Sequence, residues 1–365
     1  MNLPFSLNPA LETLPVYQPG RPIEEVARET RLPVNQIIKL ASNENPLGPS
    51  PKALAAMKQV LPHLHLYPDG NAFYFKRKLA SKLGVEPENL VLGNGSNDII
   101  EFLGHALMGP GAEVVVSQYS FAVYFIVAKL LGAKVVTVPA RNHGHDLSAM
   151  SKAVTGKTKI IFIANPNNPT GTLAPAKEVL RLIEETPPNV VIAMDEAYIE
   201  FLDKPLDLVP TVLSGKKPNL ILLRTFSKIY GLAGLRLGYG IAHPDFIAAL
   251  EKIRQPFNIN SLAQAAGLAA LDDAAHVRKT RENNNRGRKF WEATLSAMGL
   301  EFVPSSANFI LARVGRGAKV FEELQKRGII TRPMGGYQLP EWIRISIGTP
   351  AENRRCARAL KEIVR

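Results

Sequence analysis

Residues 220–228 read Leu-Ile-Leu-Leu-Arg-Thr-Phe-Ser-Lys, an apolar run that ends in hydroxyl side chains and a lysine. The apolar part predicts a buried strand, so Lys228 follows the carboxyl end of that strand, and Arg236 comes eight residues later. A lysine in this setting, with a hydroxyl before it and an arginine nearby, suits a Schiff base beside a bound phosphate. The alternative is a solvated lysine after a core strand, and this segment alone does not decide between the two.

The chain around this segment alternates strand-like and helical patterns. Several strand-like runs are apolar throughout, which is typical of parallel strands covered on both faces. The pattern therefore favours an α/β fold with a mostly parallel seven-stranded sheet between layers of helices, whose ligands gather at the carboxyl ends of the strands. The predicted strands are Leu90–Leu92, Val114–Ser117, Val135–Val138, Ile160–Ala164, Val190–Met194, Ile221–Thr225 and Leu237–Ile241.

A change in the pattern of predicted helices and strands after Pro256 indicates a second, smaller α+β domain. The chain has 365 residues, and single hydrophobic cores stop growing near about 250–300 residues. From Pro256 onward, long helical patterns accompany short strands near Phe309–Ala312 and Ile343–Ile347. The expected units are an N-terminal arm over 1–35, a large domain over 36–255 and a small domain over 256–365.

The composition is ordinary for a folded globular protein, with 46% hydrophobic and 21% charged residues. The chain has no apolar run long enough to span a membrane and does not open on a secretion signal, so we expect a cytoplasmic protein. Cys356 is the single cysteine, which excludes an intrachain disulfide, and it has no histidine neighbour that would support a nucleophilic role. We interpret it as an ordinary helix residue.

A net charge of +12, from 44 basic and 32 acidic residues, raises the alternative of a nucleic-acid-binding protein. Much of the excess lies in 276–290, with six basic residues against one acidic, and in 352–365, with five against two. Because no zinc-ligand spacing or RNA-binding aromatic motif accompanies them, we interpret both as solvated helical faces and predict neither a nucleic-acid partner nor a metal site. A positive field would still attract phosphorylated or carboxylated substrates.

Polar motifs follow three more of the predicted strands. Gly93–Asn97 reads Gly-Asn-Gly-Ser-Asn and opens a helical pattern, so its backbone N–H groups suit a phosphate, although a simple helix cap by Ser96 is the alternative. No third glycine completes a dinucleotide fingerprint. Asn165–Gly171 reads Asn-Pro-Asn-Asn-Pro-Thr-Gly, a rigid turn that can also hold an amide donor. Asp195 ends an apolar run, where a carboxylate needs a cationic partner such as a bound pyridinium nitrogen.

Taken in order, these motifs carry a resemblance that covers most of the chain, from Ala41 to Arg344. Four of them resemble the motifs of the fold-type-I pyridoxal-phosphate aminotransferases: Asn165–Gly171, Asp195–Tyr198, Thr225–Lys228 and Arg236. Three others are most similar to those of the histidinol-phosphate aminotransferases: Asn43–Gly48, Leu66–Gly70 and Gly93–Asn97. Ile229 departs from the family pattern, which has a small residue after the lysine.

The resemblance implies a binding site for pyridoxal 5'-phosphate. Lys228 would bind the cofactor covalently and move a proton between the substrate carbon and the cofactor. Asp195 would keep the pyridine nitrogen protonated, so that the ring accepts electrons. Asn168 and Tyr198 would hydrogen-bond the phenolate oxygen, and Tyr119 would stack on the ring face.

The resemblance also implies how the cofactor phosphate is held. Its predicted ligands within the chain are Gly95, Ser96, Asn97, Ser227 and Arg236. Tyr67 resembles a tyrosine that reaches the phosphate in the neighbouring subunit, which implies a homodimer with shared sites. The alternative for Tyr67 is an aromatic side chain packed before a proline turn.

For the substrate, the resemblance implies that Arg344 receives an anionic group, since its guanidinium matches a carboxylate or phosphate at two points. Arg332 and Tyr17 are the implied helpers, with a structural ion pair as the alternative for Arg332, and Asn308 is expected to line the site. The implied reaction moves an amino group between L-histidinol phosphate and 2-oxoglutarate in histidine biosynthesis. Aromatic amino-acid aminotransferases and a threonine-phosphate decarboxylase share the scaffold and remain alternatives.

Overall fold

The computed structural model describes residues 5–14, 16 and 18–364. Its helices are α1 (Ile23–Thr30), α2 (Pro51–Val60), α3 (Phe73–Leu83), α4 (Ser96–Leu107), α5 (Ala122–Leu130), α6 (Leu147–Lys152), α7 (Ala176–Glu185), α8 (Val209–Leu213), α9 (Pro244–Glu251), α10 (Ser261–Ala270), α11 (Ala274–Ala297), α12 (Gly317–Lys326) and α13 (Pro350–Ile363). Its strands are β1 (Ile38–Lys39), β2 (Leu90–Asn94), β3 (Glu113–Ser117), β4 (Lys134–Val138), β5 (Thr158–Ala164), β6 (Val191–Asp195), β7 (Leu220–Thr225), β8 (Leu237–Ile241), β9 (Phe302–Val303), β10 (Phe309–Arg313), β11 (Ile329–Ile330), β12 (Arg332–Pro333) and β13 (Trp342–Ser346).

The large sheet has seven strands in the order β2-β8-β7-β6-β5-β3-β4. β8 runs antiparallel to both of its neighbours, and the remaining pairs are parallel. The predicted α/β fold with a mostly parallel seven-stranded sheet is therefore confirmed, and the strand ends differ from the predicted ones by at most two residues. The carboxyl ends of β2, β5, β6 and β7 consequently lie at one edge of the sheet.

Helices cover both faces of this sheet. Along β5, Ile161 and Ile163 pack on one face with α3, α7 and α10, while Ile160 and Phe162 pack on the other with α4, α5 and α9. Because water reaches neither face, successive residues of the central strands are apolar rather than alternating with polar ones. In these apolar surroundings, the carboxylate of Asp195 at the end of β6 requires a hydrogen-bonding or cationic partner.

The small sheet has the antiparallel order β12-β13-β10-β9. Its strands β10 and β13 correspond to the predicted runs Phe309–Ala312 and Ile343–Ile347. Trp291 of α11 and Cys356 of α13 lie in its core, and burial raises the pKa of the Cys356 thiol to about 12. Cys356 is therefore a protonated core residue, in line with its interpretation as an ordinary helix position.

The N-terminal part of the chain packs against this smaller unit. β1 pairs in parallel with β11, and Val26 of α1 packs with Ile37 and Ile330. The predicted domain boundaries at 36 and 256 stay predictions, and we propose that residues 23–39 belong with the small unit because of these contacts. Within the described residues, none of the helices combines the length and the apolar character that a bilayer crossing requires.

Candidate active site

Lys228 lies three residues beyond the carboxyl end of β7. Its Nζ donates a hydrogen bond to the backbone carbonyl of Ser42 at 3.3 Å and lies 5.7 Å from the centre of the Tyr198 ring. Burial, followed by the positive charge of Arg344, lowers the pKa of Lys228 to about 8. A lysine with this pKa carries an appreciable unprotonated fraction near neutral pH, so it can act as a nucleophile or a base.

Asp195 is the last residue of β6 and is buried. Tyr124 Oη donates to its Oδ2 at 2.6 Å, and the N–H of Ala197 donates to Oδ1 at 3.1 Å. Burial raises the pKa of Asp195, while the Tyr124 hydrogen bond acts in the opposite direction. The phenol of Tyr124 is fully buried and stacks on Phe162 with ring centres 4.5 Å apart, so its hydroxyl is held in place. Sequence reasoning missed Tyr124, whose one visible signal is a phenol within a helix that is apolar apart from Lys129.

The first residues of α4 meet Arg236 at a corner suited to an anion. Gly95 precedes the helix with a φ of +83°, and a Cβ at this position would clash with the guanidinium of Arg236. Arg236 also donates from Nη1 to Ser227 Oγ at 3.3 Å. Backbone N–H groups at the helix start, two hydroxyls and a guanidinium thus converge, and glycine is favoured because of its positive φ and because the guanidinium lies against the backbone.

These groups face one cavity of about 200 Å³. The predicted site residues that line it are Ser96, Asn97, Asn168, Asp195, Tyr198, Ser227, Lys228, Arg236, Arg332 and Arg344. It is also lined by residues that sequence reasoning did not select, namely Gly20, Ala41, Ser42, Asn43, Phe121, Ala164, Pro166, Ala197, Thr225 and Tyr337. The two sheets therefore contribute to a single site.

Arg332 and Arg344 lie at the small-sheet side of the cavity, directly opposite each other on β12 and β13. Arg344 donates from Nη2 to the carbonyl of Ala41 at 2.8 Å and from Nη1 to Asn168 Oδ1. Because the Oδ1 of Asn168 is engaged in this way, its amide nitrogen is the group that can donate to a ligand. Arg332 donates to the carbonyl of Gln18. Two guanidinium groups on one side make this end of the cavity suited to an anionic substrate group.

Tyr198 is buried beside Lys228 and is held by Asn43. Asn43 Nδ2 donates to Tyr198 Oη at 2.9 Å, which leaves the phenolic O–H able to donate to a ligand. Burial raises the pKa of Tyr198 to about 12, so the phenol stays protonated in the neutral range. Asn308 does not line the cavity, contrary to expectation. Its Nδ2 donates to the carbonyl of Asn43 at 2.9 Å, so it supports Asn43 instead.

Two further predicted residues lie away from the cavity within this chain. Phe121, rather than Tyr119, lines the cavity, and the Tyr119 ring stacks on His143 with centres 5.9 Å apart. Tyr67 is 83% exposed and stacks on Phe257 with ring centres 4.8 Å apart. Tyr17 lies outside the described residues.

Residues 35–360 match the family model for aminotransferase class I and II. The chain belongs to the class I and II aminotransferases. This membership explains why the polar residues of the cavity occur at strand ends in the order seen, since sites of such open α/β sheets form at the carboxyl edge.

Individual class I and II aminotransferases align over nearly the whole chain. Histidinol-phosphate aminotransferase from Akkermansia muciniphila is 49% identical over 365 residues, which is 100% of both chains. Histidinol-phosphate aminotransferase 2 from Ralstonia nicotianae is 50% identical over 349 residues, or 94% of this chain and 93% of the relative. The crystal structure of histidinol-phosphate aminotransferase from Sinorhizobium meliloti in complex with pyridoxal-5'-phosphate has a TM-score of 0.89 and 30% identity, covering 98% of this chain and 97% of that one.

Proposed function

We propose that this aminotransferase moves an amino group between L-histidinol phosphate and 2-oxoglutarate, giving imidazole acetol phosphate and L-glutamate, in histidine biosynthesis. The observation that carries the proposal is identity of 49% over the full length of a relative with that name. The cavity supports it, because Lys228 faces a space with cationic groups on two sides. The cytoplasmic location stays a prediction.

Pyridoxal 5'-phosphate is the cofactor that this cavity fits. A Cβ at Gly95 would fill the space taken by the guanidinium of Arg236. The absence of a side chain at Gly95 therefore allows this cation to lie beside the backbone N–H groups at the start of α4. The buried carboxylate of Asp195 provides the partner that a pyridinium nitrogen requires, and Lys228 provides an amine with a lowered pKa. When bound, the cofactor supplies an electron sink for the electron pair left when the substrate loses its α proton.

The proposed roles follow from the groups that each residue presents. Lys228 accepts and returns the substrate proton at Nζ, for which a pKa of about 8 is well matched. Asp195 holds a proton on the ring nitrogen, and the amide of Asn168 with the hydroxyl of Tyr198 orients the phenolate oxygen. Phe121 lines the cavity and takes the ring-packing role that the sequence assigned to Tyr119.

The anionic groups of cofactor and substrate are assigned to opposite ends of the cavity. The cofactor phosphate is held by backbone and side-chain donors of Ser96 and Asn97, together with Ser227 and Arg236. The substrate anion is received by Arg344 with Arg332, which lie opposite each other in the small sheet. Anchoring the cofactor and the substrate separately would limit the orientations in which the substrate carbon meets Lys228.

A substrate panel tests the specific assignment. Aromatic amino-acid transamination and threonine-phosphate decarboxylation use the same scaffold, so the fold does not separate them. We expect kcat/KM for histidinol phosphate to exceed that for phenylalanine or tyrosine by about 100-fold or more, because two guanidinium groups favour a phosphate dianion over a carboxylate. Release of carbon dioxide from threonine phosphate, or a higher kcat/KM for an aromatic amino acid, would contradict the assignment.

We further propose a homodimer in which Tyr67 reaches the partner's cofactor phosphate. Tyr67 is exposed, and several residues close to it in the sequence also have exposed apolar side chains, which a subunit interface would cover. These neighbours are Leu61, Leu64, Leu66, Phe73 and Tyr74.

A hybrid dimer tests this sharing. One subunit carries Lys228→Ala and the other Tyr67→Ala, with different affinity tags for purification. If Tyr67 acts on the partner, one of the two sites in the hybrid has neither defect, and we expect about half of the wild-type kcat per dimer, well above either parent. A hybrid no more active than its parents would show that Tyr67 does not serve the partner's site.

A further inference from the structure

The turn that follows Lys228 is seated on a distant segment of the chain, residues 45–49. Asn45 Nδ2 donates to the carbonyl of Ile229 at 3.0 Å. The turn itself closes through the N–H of Gly231, which donates to the carbonyl of Lys228 at 3.1 Å. Gly231 has a φ of +70°, and a Cβ there would clash with the carbonyl oxygen of Gly48. The main chain on the carboxyl side of the lysine is thus held by both a hydrogen bond and close packing.

Asn45 is itself fixed from both ends of its amide. Its Oδ1 accepts the N–H of Leu47 at 3.0 Å, and its Nδ2 also donates to Thr280 Oγ1 of α11 at 3.1 Å. The imidazole Nε2 of His276 lies 3.5 Å from the same nitrogen. Desolvation lowers the pKa of His276, which favours its neutral form. In this orientation the two N–H groups of the amide reach the Ile229 carbonyl and Thr280 Oγ1, and its oxygen accepts from Leu47.

The carbonyl of Ile229 depends on this amide because its surroundings are dry. The Ile229 side chain is completely buried in the core beneath the large sheet, and Asn45 is buried as well. A buried carbonyl that loses its partner carries the full desolvation cost. The side chain of Ile229 thus adds core packing, while its carbonyl accepts the hydrogen bond from Asn45.

We propose that Asn45 is a positioning residue for Lys228. By holding the main chain at Ile229, Asn45 fixes the position of the adjacent Lys228 Cα, from which the lysine side chain extends. The hydroxyl of Thr280 on α11 accepts a hydrogen bond from the Asn45 side-chain amide, so this helix holds the amide in place. The inference rests on the proposed function only in taking Lys228 as the reacting amine. Displacing a catalytic group by about 1 Å can lower a rate by about 100-fold, so a hydrogen bond adjacent to the lysine has a catalytic consequence.

The variant Asn45→Ala tests the proposal in the holoenzyme. We expect kcat to fall by about tenfold to 100-fold while KM changes by less than about threefold, because the substrate-binding arginines are untouched. We also expect the pH midpoint of the visible absorbance of the bound cofactor to shift, since this midpoint reports the environment of Lys228. The absorbance titration needs no substrate, so it is informative even if the assignment to histidinol phosphate fails.

Asn219→Ala is the matched control, because Asn219 is also buried and its Nδ2 donates to the carbonyl of Val190 at 2.6 Å, away from the cavity. It should lose comparable thermal stability while kcat and the absorbance midpoint stay unchanged. If Asn45→Ala does not fold, Thr280→Val retains the Asn45 amide and removes one of its acceptors, and a fall in kcat of about threefold to tenfold with a shifted midpoint is expected. A folded variant of either kind that keeps the wild-type kcat and midpoint overturns the proposal.

Discussion

Replacing Lys228 with alanine is expected to lower kcat for histidinol phosphate by about 10⁴-fold or more, because the enzyme loses both its nucleophile and its base. Among the described residues that line the cavity, Lys228 is the one lysine, so no neighbouring amine can replace it. Steady-state kinetics on cofactor-saturated protein measures the loss. The wild-type protein should be yellow, and the visible absorbance of the variant should disappear after dialysis with an amine.

The variant Lys228→Arg tests whether the positive charge of Lys228 is sufficient for activity or whether the side chain must also transfer a proton. The guanidinium retains a positive charge in the cavity but stays protonated at any working pH, so we expect this variant to be nearly as inactive as Lys228→Ala. Retention of more than about 1% of the wild-type kcat by either variant would rule out Lys228 as the reacting amine.

The same lysine should make the stability of the apoprotein depend on pH. Burial and the charge of Arg344 lower the pKa of Lys228 from 10.5 to about 8. Below about pH 8 the amine is charged in both the folded and the unfolded chain, so the folded state bears the whole cost of a charged buried group. As the pH rises from 8 to 10.5, the folded protein holds fewer protons than the unfolded chain, and this cost disappears. The free energy of unfolding of wild type relative to Lys228→Met should therefore rise with pH across this window.

Replacing Asp195 with asparagine is expected to lower kcat by about 100-fold to 1,000-fold, the range found when a single electrostatic contact to the reacting group is removed. The amide matches the carboxylate in shape but has no charge to hold a proton on the ring nitrogen. Because Asp195 lies at the end of β6 and is not among the predicted phosphate ligands, the variant should still bind the cofactor. Kinetics at saturating cofactor, together with a cofactor titration, separate loss of turnover from loss of binding.

Tyr124→Phe provides a graded version of the same test. It removes the hydrogen bond at 2.6 Å that opposes the raised pKa of Asp195 and leaves the aromatic packing on Phe162. We expect kcat to fall by about tenfold, since a hydrogen bond to a charged group contributes about 1.5 kcal/mol or more. The assignment of Asp195 would be contradicted if Asp195→Asn kept kcat within about twofold of wild type with cofactor bound.

Local sequence patterns could not predict which of Tyr119 and Phe121 lines the cavity. Tyr119 and Phe121 lie two residues apart in the turn between β3 and α5, where no strand or helix period fixes the direction of a side chain. The path of that turn directs Phe121 to the cavity and Tyr119 to His143. The contact of Asn308 was equally invisible in the sequence, because its amide donates to the carbonyl of Asn43, which belongs to a segment 265 residues away.

The apolar strands, their mostly parallel arrangement and the polar groups at the strand ends could be predicted from the order of amino acids alone. Asp195 ends one buried strand and Lys228 lies three residues after another, and parallel packing brings the carboxyl ends of such strands to one edge of the sheet. The distant groups that hold these residues are visible in the folded protein alone. The partner of Asp195 is Tyr124, 71 residues away, and the partner of Ile229 is Asn45, 184 residues away. Such contacts depend on how layers pack and not on any local period, so they are invisible until the chain is folded.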